Sequence, residues 1–240
     1  MVSQSILKKV FMALTGLGLV GFLIAHLLGN LLLYFGAEKF NAYAAMMENS
    51  KLLVIPAEIG LIGIFAIHLY NGIKLHFENK AARPENYAQR TTLGESTFAS
   101  RTMIWTGLVI LFFLVIHIMM FKFGDEKYGP KGEMRMYELV VNEFKEPPVA
   151  IFYVVCMLFM GLHLSHALAS AAQTLGISKP GLRPKLRNIG FFTGWGLSLA
   201  FAAFPIWAIF IAPTPPDHPK PLIPLTSSTE TSKTDAAATK

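Results

Sequence analysis

Five stretches of this chain, 10–37, 52–73, 102–121, 147–178 and 188–216, almost lack Asp, Glu, Lys and Arg. Glu58 alone interrupts the second. Each reaches the roughly 20 residues that a helix needs to cross a bilayer, and each is too long for a helix in a soluble core. The expected fold is therefore an all-α membrane protein with five transmembrane helices. Composition agrees: 53% of the 240 residues are apolar and 15% are charged, against about 25% charged in an average soluble domain. Mean hydropathy is +0.46. A single cysteine excludes a disulfide framework, a cysteine-based zinc site and an iron–sulfur cluster held by this chain alone. The net charge of +6 comes without any basic run interleaved with aromatics, so no nucleic-acid partner is expected. Lys and Arg cluster at the span boundaries, as contact with membrane lipid requires.

Lys8 and Lys9 precede the first apolar run as they would in a signal peptide. That run exceeds the usual 7–15 apolar residues of a signal core, contains His26 and Asn30, and is followed by no A-x-A site. It is read as a retained span. With the N-terminus inside, the inner segments 1–9, 74–101 and 179–187 hold 11 Lys/Arg and 3 acids. The longer outer segments hold 10 Lys/Arg and 11 acids. The density of positive charge favours a cytoplasmic N-terminus and an outside C-terminus. Residues 1–212 form the expected transmembrane domain. Residues 213–240, rich in Pro, Ser, Thr and Lys, are expected to be a mobile tail with no core role. The segment 122–146 carries Met134, Met136, Tyr137, Leu139, Val140 and Val141, which suggests a short helix lying on the outer surface.

The informative residues are His26, His68, His117 and His163, one in each of the first four spans and none in the fifth. An ionisable side chain in a membrane is costly and usually faces the bundle interior or a cofactor. His26 follows Lys9 by 17 residues and His117 follows Arg101 by 16, which puts both about 25 Å above the inner boundary. His68 and His163 each lie 15 residues into spans that run inward, about 22 Å below the outer boundary. The four sort into two levels, His26 with His117 and His68 with His163.

Two imidazoles facing each other at one depth suit a six-coordinate haem iron, and helix bundles commonly house such a cofactor. With both axial positions filled, the expected task is electron transfer. No C-x-x-C-H motif occurs, so the haems would be non-covalent b haems. A zinc site is a poorer reading, because ligands on two levels do not converge on one point. His166, one turn from His163 on nearly the same face, is an alternative ligand. Depth matching to His68 prefers His163. His76, among Lys74, Glu78 and Lys80, reads either as an interfacial residue or as a contact to a haem propionate or quinone. Asn30, Lys74 and Arg101 are candidate propionate partners, although ordinary boundary residues would look the same. Glu58 reads either as a proton carrier at a quinone site or as an acid stabilised by a helix N-terminus begun at Pro56. Trp105, Trp195 and Trp207 read as interface anchors or packing residues, and Cys156 as an inert core residue.

Four segments, H-L-L-G-N at 26–30, I-H-L-Y-N-G-I at 67–73, E-N-K-A-A-R-P-E-N-Y at 78–87 and H-L-S-H-A-L-A-S-A-A-Q-T-L-G-I at 163–177, resemble the cytochrome b membrane anchor of succinate dehydrogenase and fumarate reductase. The form resembled is the one in which a single five-helix subunit carries two haems. The resemblance runs from about residue 6 to residue 211. It implies that the first and third spans share the outer haem and the second and fourth the inner one, in agreement with the depth arithmetic. It also implies a flavoprotein subunit, an iron–sulfur subunit docked on the cytoplasmic face of a bacterial inner membrane, and a quinone, by family habit menaquinone. The succinate site would lie on another chain. Some fumarate-reducing members carry a proton-conducting glutamate two residues before the fourth-span ligand, and here that position is Gly161.

Two other functions share parts of this pattern. One is a different transmembrane b cytochrome, which would dock another partner and would not need the 68–87 segment. The other is a haem-free proton-coupled transporter, for which the similar spacings from His26 to His68 and from His117 to His163 would mark two repeated helix pairs.

Overall fold

The computed structural model describes residues 4–81, 98–124, 127–179 and 181–215. Side chains are described from Ile6 onward and, in the fourth helix, from Arg101. Residues 82–87 of the third family-like segment, and the tail beyond Pro215, lie outside the described residues.

Seven α-helices are described: α1 (Gln4–Asn30), α2 (Ala37–Asn49), α3 (Lys51–Ala81), α4 (Phe98–Phe121), α5 (Met136–Lys145), α6 (Pro147–Thr174) and α7 (Arg183–Phe210). Five of them are long and apolar enough to cross a membrane, in the segments Ile6–Phe35, Lys51–Ala81, Arg101–Phe121, Pro147–Thr174 and Arg183–Phe210. These correspond to the five apolar stretches, with shifted ends. The first span tightens into a 3-10 turn at Leu31–Phe35 and stops at Gly36, whose φ of 91° suits a residue without Cβ. The fourth ends at Thr174, with Leu175 as its C-cap, short of the expected residue 178. There the N–H of Ile177 donates to the Ala172 carbonyl and that of Gly176 to the Gln173 carbonyl. This is a Schellman stop with Gly176 left-handed, at φ 76°.

Four spans stand at the corners of a square. α1 packs on α3 and α6, α4 packs on α6 and only lightly on α3, and α7 lies outside, packed along α6. The diagonals of the square are therefore α1–α4 and α3–α6. The α6–α7 seam is the tightest in the molecule. A Cβ at Gly194 would lie 2.6 Å from the Ser165 backbone nitrogen, and one at Gly161 would lie 2.9 Å from the Trp195 ring. Small residues let two backbones approach where lipid gives no hydrophobic drive to associate. The Ser198 hydroxyl donates across the seam to the Met157 carbonyl. The side chain missing at Gly161 thus has a packing reason, since its space is filled by Trp195 and Ser198.

α3 has a different character. Asn71 is its only buried residue, and Leu52, Ile59, Ile62 and Tyr70 all point outward. Two ion pairs hold it, Lys8–Glu78 at one end and Lys122–Glu58 toward the other, each 2.5 Å.

The segment after the first span is a helix, α2, not foreseen from the sequence. Two expectations need correction. The short helix at 136–145 does not lie on the surface: Tyr137, Leu139, Val140, Val141 and Phe144 of α5 are all buried. α5 wedges its apolar face against α2, α6 and α7, and its N-terminus is capped from α2. Asn41 Oδ1 accepts the Tyr137 N–H at 2.7 Å, and Asn41 Nδ2 donates to Glu138 at 2.8 Å, so an orphan helix donor finds its partner in another element. Pro56 does not start the second span. α3 begins at Lys51 with Pro56 inside it, and Ser50 accepts the N–H of Leu53 and of Val54. At the other end of the chain, Pro215 is buried and Lys145 Nζ donates to the Ala212 carbonyl at 2.8 Å, so packing continues past residue 212.

The seam yields a direct test. Gly194→Ala should lower stability by about 1–3 kcal/mol through overpacking, read as a lower melting temperature of the detergent-purified protein. Gly196→Ala, on the same helix with open space around it, should leave the melting temperature unchanged.

Candidate functional site

The four span histidines meet along the two diagonals. His26 of α1 faces His117 of α4, with ring centroids 5.9 Å apart and planes at 88°. His68 of α3 faces His163 of α6, with centroids 6.5 Å apart and planes at 66°. Thr15 of α1 lies beside His68, and His26 follows eleven residues along the same helix, so the two levels are about 16 Å apart. His166 is half-buried one turn from His163, and among the described residues its ring is not stacked on another. α1, α3 and α4 bury few of their residues, whereas α6, which carries His163, buries nine.

The His26/His117 level lies toward the end closed by α2 and α5. Phe22 stacks on His26 at 5.4 Å and Phe113 stacks on His117 at 5.5 Å, each from one turn earlier in its own helix. Tyr153, buried on α6, brings its hydroxyl 3.2 Å from His117 Nδ1 and directs its own proton toward Met120 Sδ at 3.6 Å. A cavity of about 650 Å³ opens here, lined by His26, His117, Asn30, Tyr153, Glu58 and Lys122 among others. Its size suits a cofactor or a drug-sized ligand. At the other level, Thr15 Oγ1 lies 3.4 Å from His68 Nδ1, and Thr106 Oγ1 lies 3.1 Å from His163 Nδ1.

Each pair presents two imidazoles at a spacing suited to opposite ligands of one metal. Two ring nitrogens at ordinary metal–nitrogen lengths of about 2.0–2.1 Å put their ring centres roughly 6 Å apart. Among the described residues, no group of three or more His, Cys, Asp or Glu converges to hold an ion. A metal held by either pair must therefore bring further ligands of its own, as a porphyrin does.

The other expected residues are scattered. Asn30 lines the cavity, but its amide donates to the His26 carbonyl at 2.8 Å. Glu58 lies at the cavity wall, paired with Lys122 and eight residues into α3, where the helix N-terminus no longer reaches it. Lys74 is engaged with Tyr70, at 3.0 Å from its hydroxyl and over its ring. His76 is exposed against Phe77, and Arg101 is exposed in the first turn of α4. Sequence reasoning missed the hydroxyls of Thr15, Thr106 and Tyr153. A signal for the first two was present. Residues 12–26 and 103–117 align without a gap, with Met, Thr, Gly, Leu, Phe, Leu and His identical at Met12/Met103, Thr15/Thr106, Gly16/Gly107, Leu17/Leu108, Phe22/Phe113, Leu23/Leu114 and His26/His117.

A known protein is similar to this chain in sequence. The succinate dehydrogenase cytochrome b558 subunit of Bacillus subtilis (strain 168) is 27% identical over 190 residues, which cover 79% of this chain and 87% of that protein. The chain is thus similar in sequence to a succinate dehydrogenase cytochrome b subunit. With five helices long and apolar enough to cross a membrane, the present chain is a multi-pass membrane protein. No family model and no solved structure matches it.

The Glu58–Lys122 pair is half-exposed, and such pairs contribute only about 0–1 kcal/mol. Glu58→Gln should therefore shift the denaturation midpoint by less than about 1 kcal/mol equivalent, which leaves Glu58 free to be tested for function without loss of fold.

Proposed function

We propose that this chain is the membrane-anchoring, electron-transferring subunit of a succinate:quinone oxidoreductase, and that it carries two b haems. His26 and His117 would be the axial ligands of the outer haem, and His68 and His163 those of the inner haem. The observation that carries this reading is the pair of facing imidazoles on each diagonal at two separate levels, with centroid spacings of 5.9 and 6.5 Å. The residues fit the group: the rings oppose one another across the bundle axis, and the outer pair opens on a cavity of cofactor size. The haems would supply reversible one-electron storage. The protein's part would be to hold each haem by two histidines, His26 with His117 and His68 with His163, and to pack stacked aromatics such as Phe22 and Phe113 against the rings.

Partners follow from the same reading. An iron–sulfur subunit, itself bound to a flavoprotein that handles succinate and fumarate, would dock on the cytoplasmic face. That face would carry the basic segment 179–187, with four Lys/Arg and no acid. The N-terminus would be cytoplasmic and the membrane a bacterial inner membrane. Electrons would pass through the two levels to a quinone, menaquinone by family habit. Glu58 and Lys122, exchanging a proton with solvent at the cavity wall, would serve quinone protonation. His166 and Asn30 would stay close to the haems without ligating them, and Lys74, His76 and Arg101 would serve as contacts to the haem propionates.

A pyridine haemochrome count on the purified chain tests the core of this. Two b haems per polypeptide are expected. His163→Ala should remove one haem and His166→Ala neither. Loss of haem in the second variant and not the first would transfer the ligand role to His166. A folded, haem-free protein made with adequate haem supply would favour a proton-relaying transporter. Glu58→Gln should lower quinone-linked turnover at least tenfold while both haems remain.

A further inference from the structure

The chemistry that the paired histidines leave unexplained lies on the edges of the square. Thr15 Oγ1 donates its proton to the Phe11 carbonyl at 2.6 Å. A hydroxyl has one proton, so toward His68 Nδ1, 3.4 Å away, it can only accept. Thr106 repeats the arrangement: it donates to the Met103 carbonyl at 3.0 Å, and with its proton so used its oxygen, 3.1 Å from His163 Nδ1, is placed to accept. The threonine beside each ring therefore favours the Nδ1–H form, which would leave the Nε2 lone pair to face the opposite histidine.

The residue after each threonine is a glycine, and it shapes the same seat. A Cβ at Gly16 would lie 3.2 Å from His68 Cε1, and one at Gly107 would lie 3.4 Å from His163 Cε1. Each ring thus rests in a Thr-Gly notch, with an acceptor on one side and an absent side chain on the other. The two notches are related by the repeat of α1 in α4. Each of these helices bears one histidine of the His26/His117 level and, eleven residues earlier, the notch that seats a histidine of the other level.

We propose that Thr15 and Thr106 are paired positioning residues that fix the tautomer and orientation of His68 and His163 and so set the redox potential of the metal centre those two rings hold. The inference rests on the haem reading of these pairs. An acceptor on Nδ1–H raises the basicity of the imidazole. A more basic ligand favours the ferric over the ferrous state. Removing the acceptor should therefore raise the potential of that haem alone. Tyr153, whose hydroxyl faces His117 Nδ1, stands in the same relation to the other level and supplies the internal comparison.

The test is a spectroscopic redox titration of the full chain in detergent, with low-spin haem EPR and a haem count. Thr15→Val and Thr106→Val keep the shape of the side chain and remove the acceptor. Each should move the same one of the two midpoint potentials upward, changing the ferric-to-ferrous ratio at a fixed potential several-fold, with a matching change in one EPR signal. The double variant should move it further, and Thr→Ser at either position should restore it. Tyr153→Phe should move the other potential. Unchanged potentials and EPR signals in a wild-type-like di-haem protein would overturn the proposal while leaving the haem reading intact. Equal movement of both haems, or failure of serine to restore, would also overturn it by pointing to general loosening. A haem-free wild-type protein would remove the haem reading and this inference with it.

Discussion

Imidazoles in an apolar bundle must find polar partners inside the protein, because the surrounding lipid offers none. Much of the arrangement around the diagonals follows from that constraint. The four rings turn inward and meet in two pairs, and three of them, His68, His163 and His117, lie within hydrogen-bond reach of a hydroxyl on an edge of the square, Thr15, Thr106 and Tyr153 respectively. Those hydroxyls are polar groups in an apolar setting too. Each meets its own need by bonding locally, to a carbonyl one turn back or, for Tyr153, to Met120 sulfur. The site is a chain of local satisfactions with the Nε2 edges left free at its centre.

Rigidity and compliance are divided between helices. α6 and α7 approach so closely that Gly161 and Gly194 have no room for a Cβ. α6 consequently offers a fixed wall carrying His163 and Tyr153. α3 buries almost nothing and is held by an ion pair toward each end. Half-exposed ion pairs of this kind contribute little, so the position of His68 depends on the packing of α3 against α1 and on the notch at Thr15 and Gly16. A cofactor bound between the diagonals would add the contacts that α3 lacks, and folding and loading would then be coupled. The closed end is built differently. α5 is amphipathic and wedges its apolar face inward, and Asn41 of α2 caps it, so two elements outside the spans fix the wall of the cavity beside His117.

The apolar runs made the five spans and their order visible in the sequence, because length without charge has one economical outcome in a bilayer. Depth arithmetic also foresaw which histidines meet, since 1.5 Å per residue fixes their levels once the span ends are known. The ends themselves were less visible. The Gly176 stop depends on a left-handed residue whose need arises only when the helix is already formed. Pro56 looks like a helix start but sits inside α3. The segment around Tyr137 and Val141 looked like a surface helix because a modest apolar face gives no clue to whether lipid, water or protein covers it.

The sequence by itself determined the helical class, the number of spans and the two levels of histidine, because these depend on hydrophobicity and on distance along a helix. It even held the 12–26 and 103–117 repeat, with Thr15 and Thr106 in register. Only the tertiary structure decided what that repeat is for, by setting each threonine against a histidine of a neighbouring helix. It also decided that Glu58 meets Lys122, that Lys8 meets Glu78, and that Gly161 is a packing position. These outcomes depend on rotation and proximity between helices, and a one-dimensional period does not encode which face of one helix is turned to which face of the next.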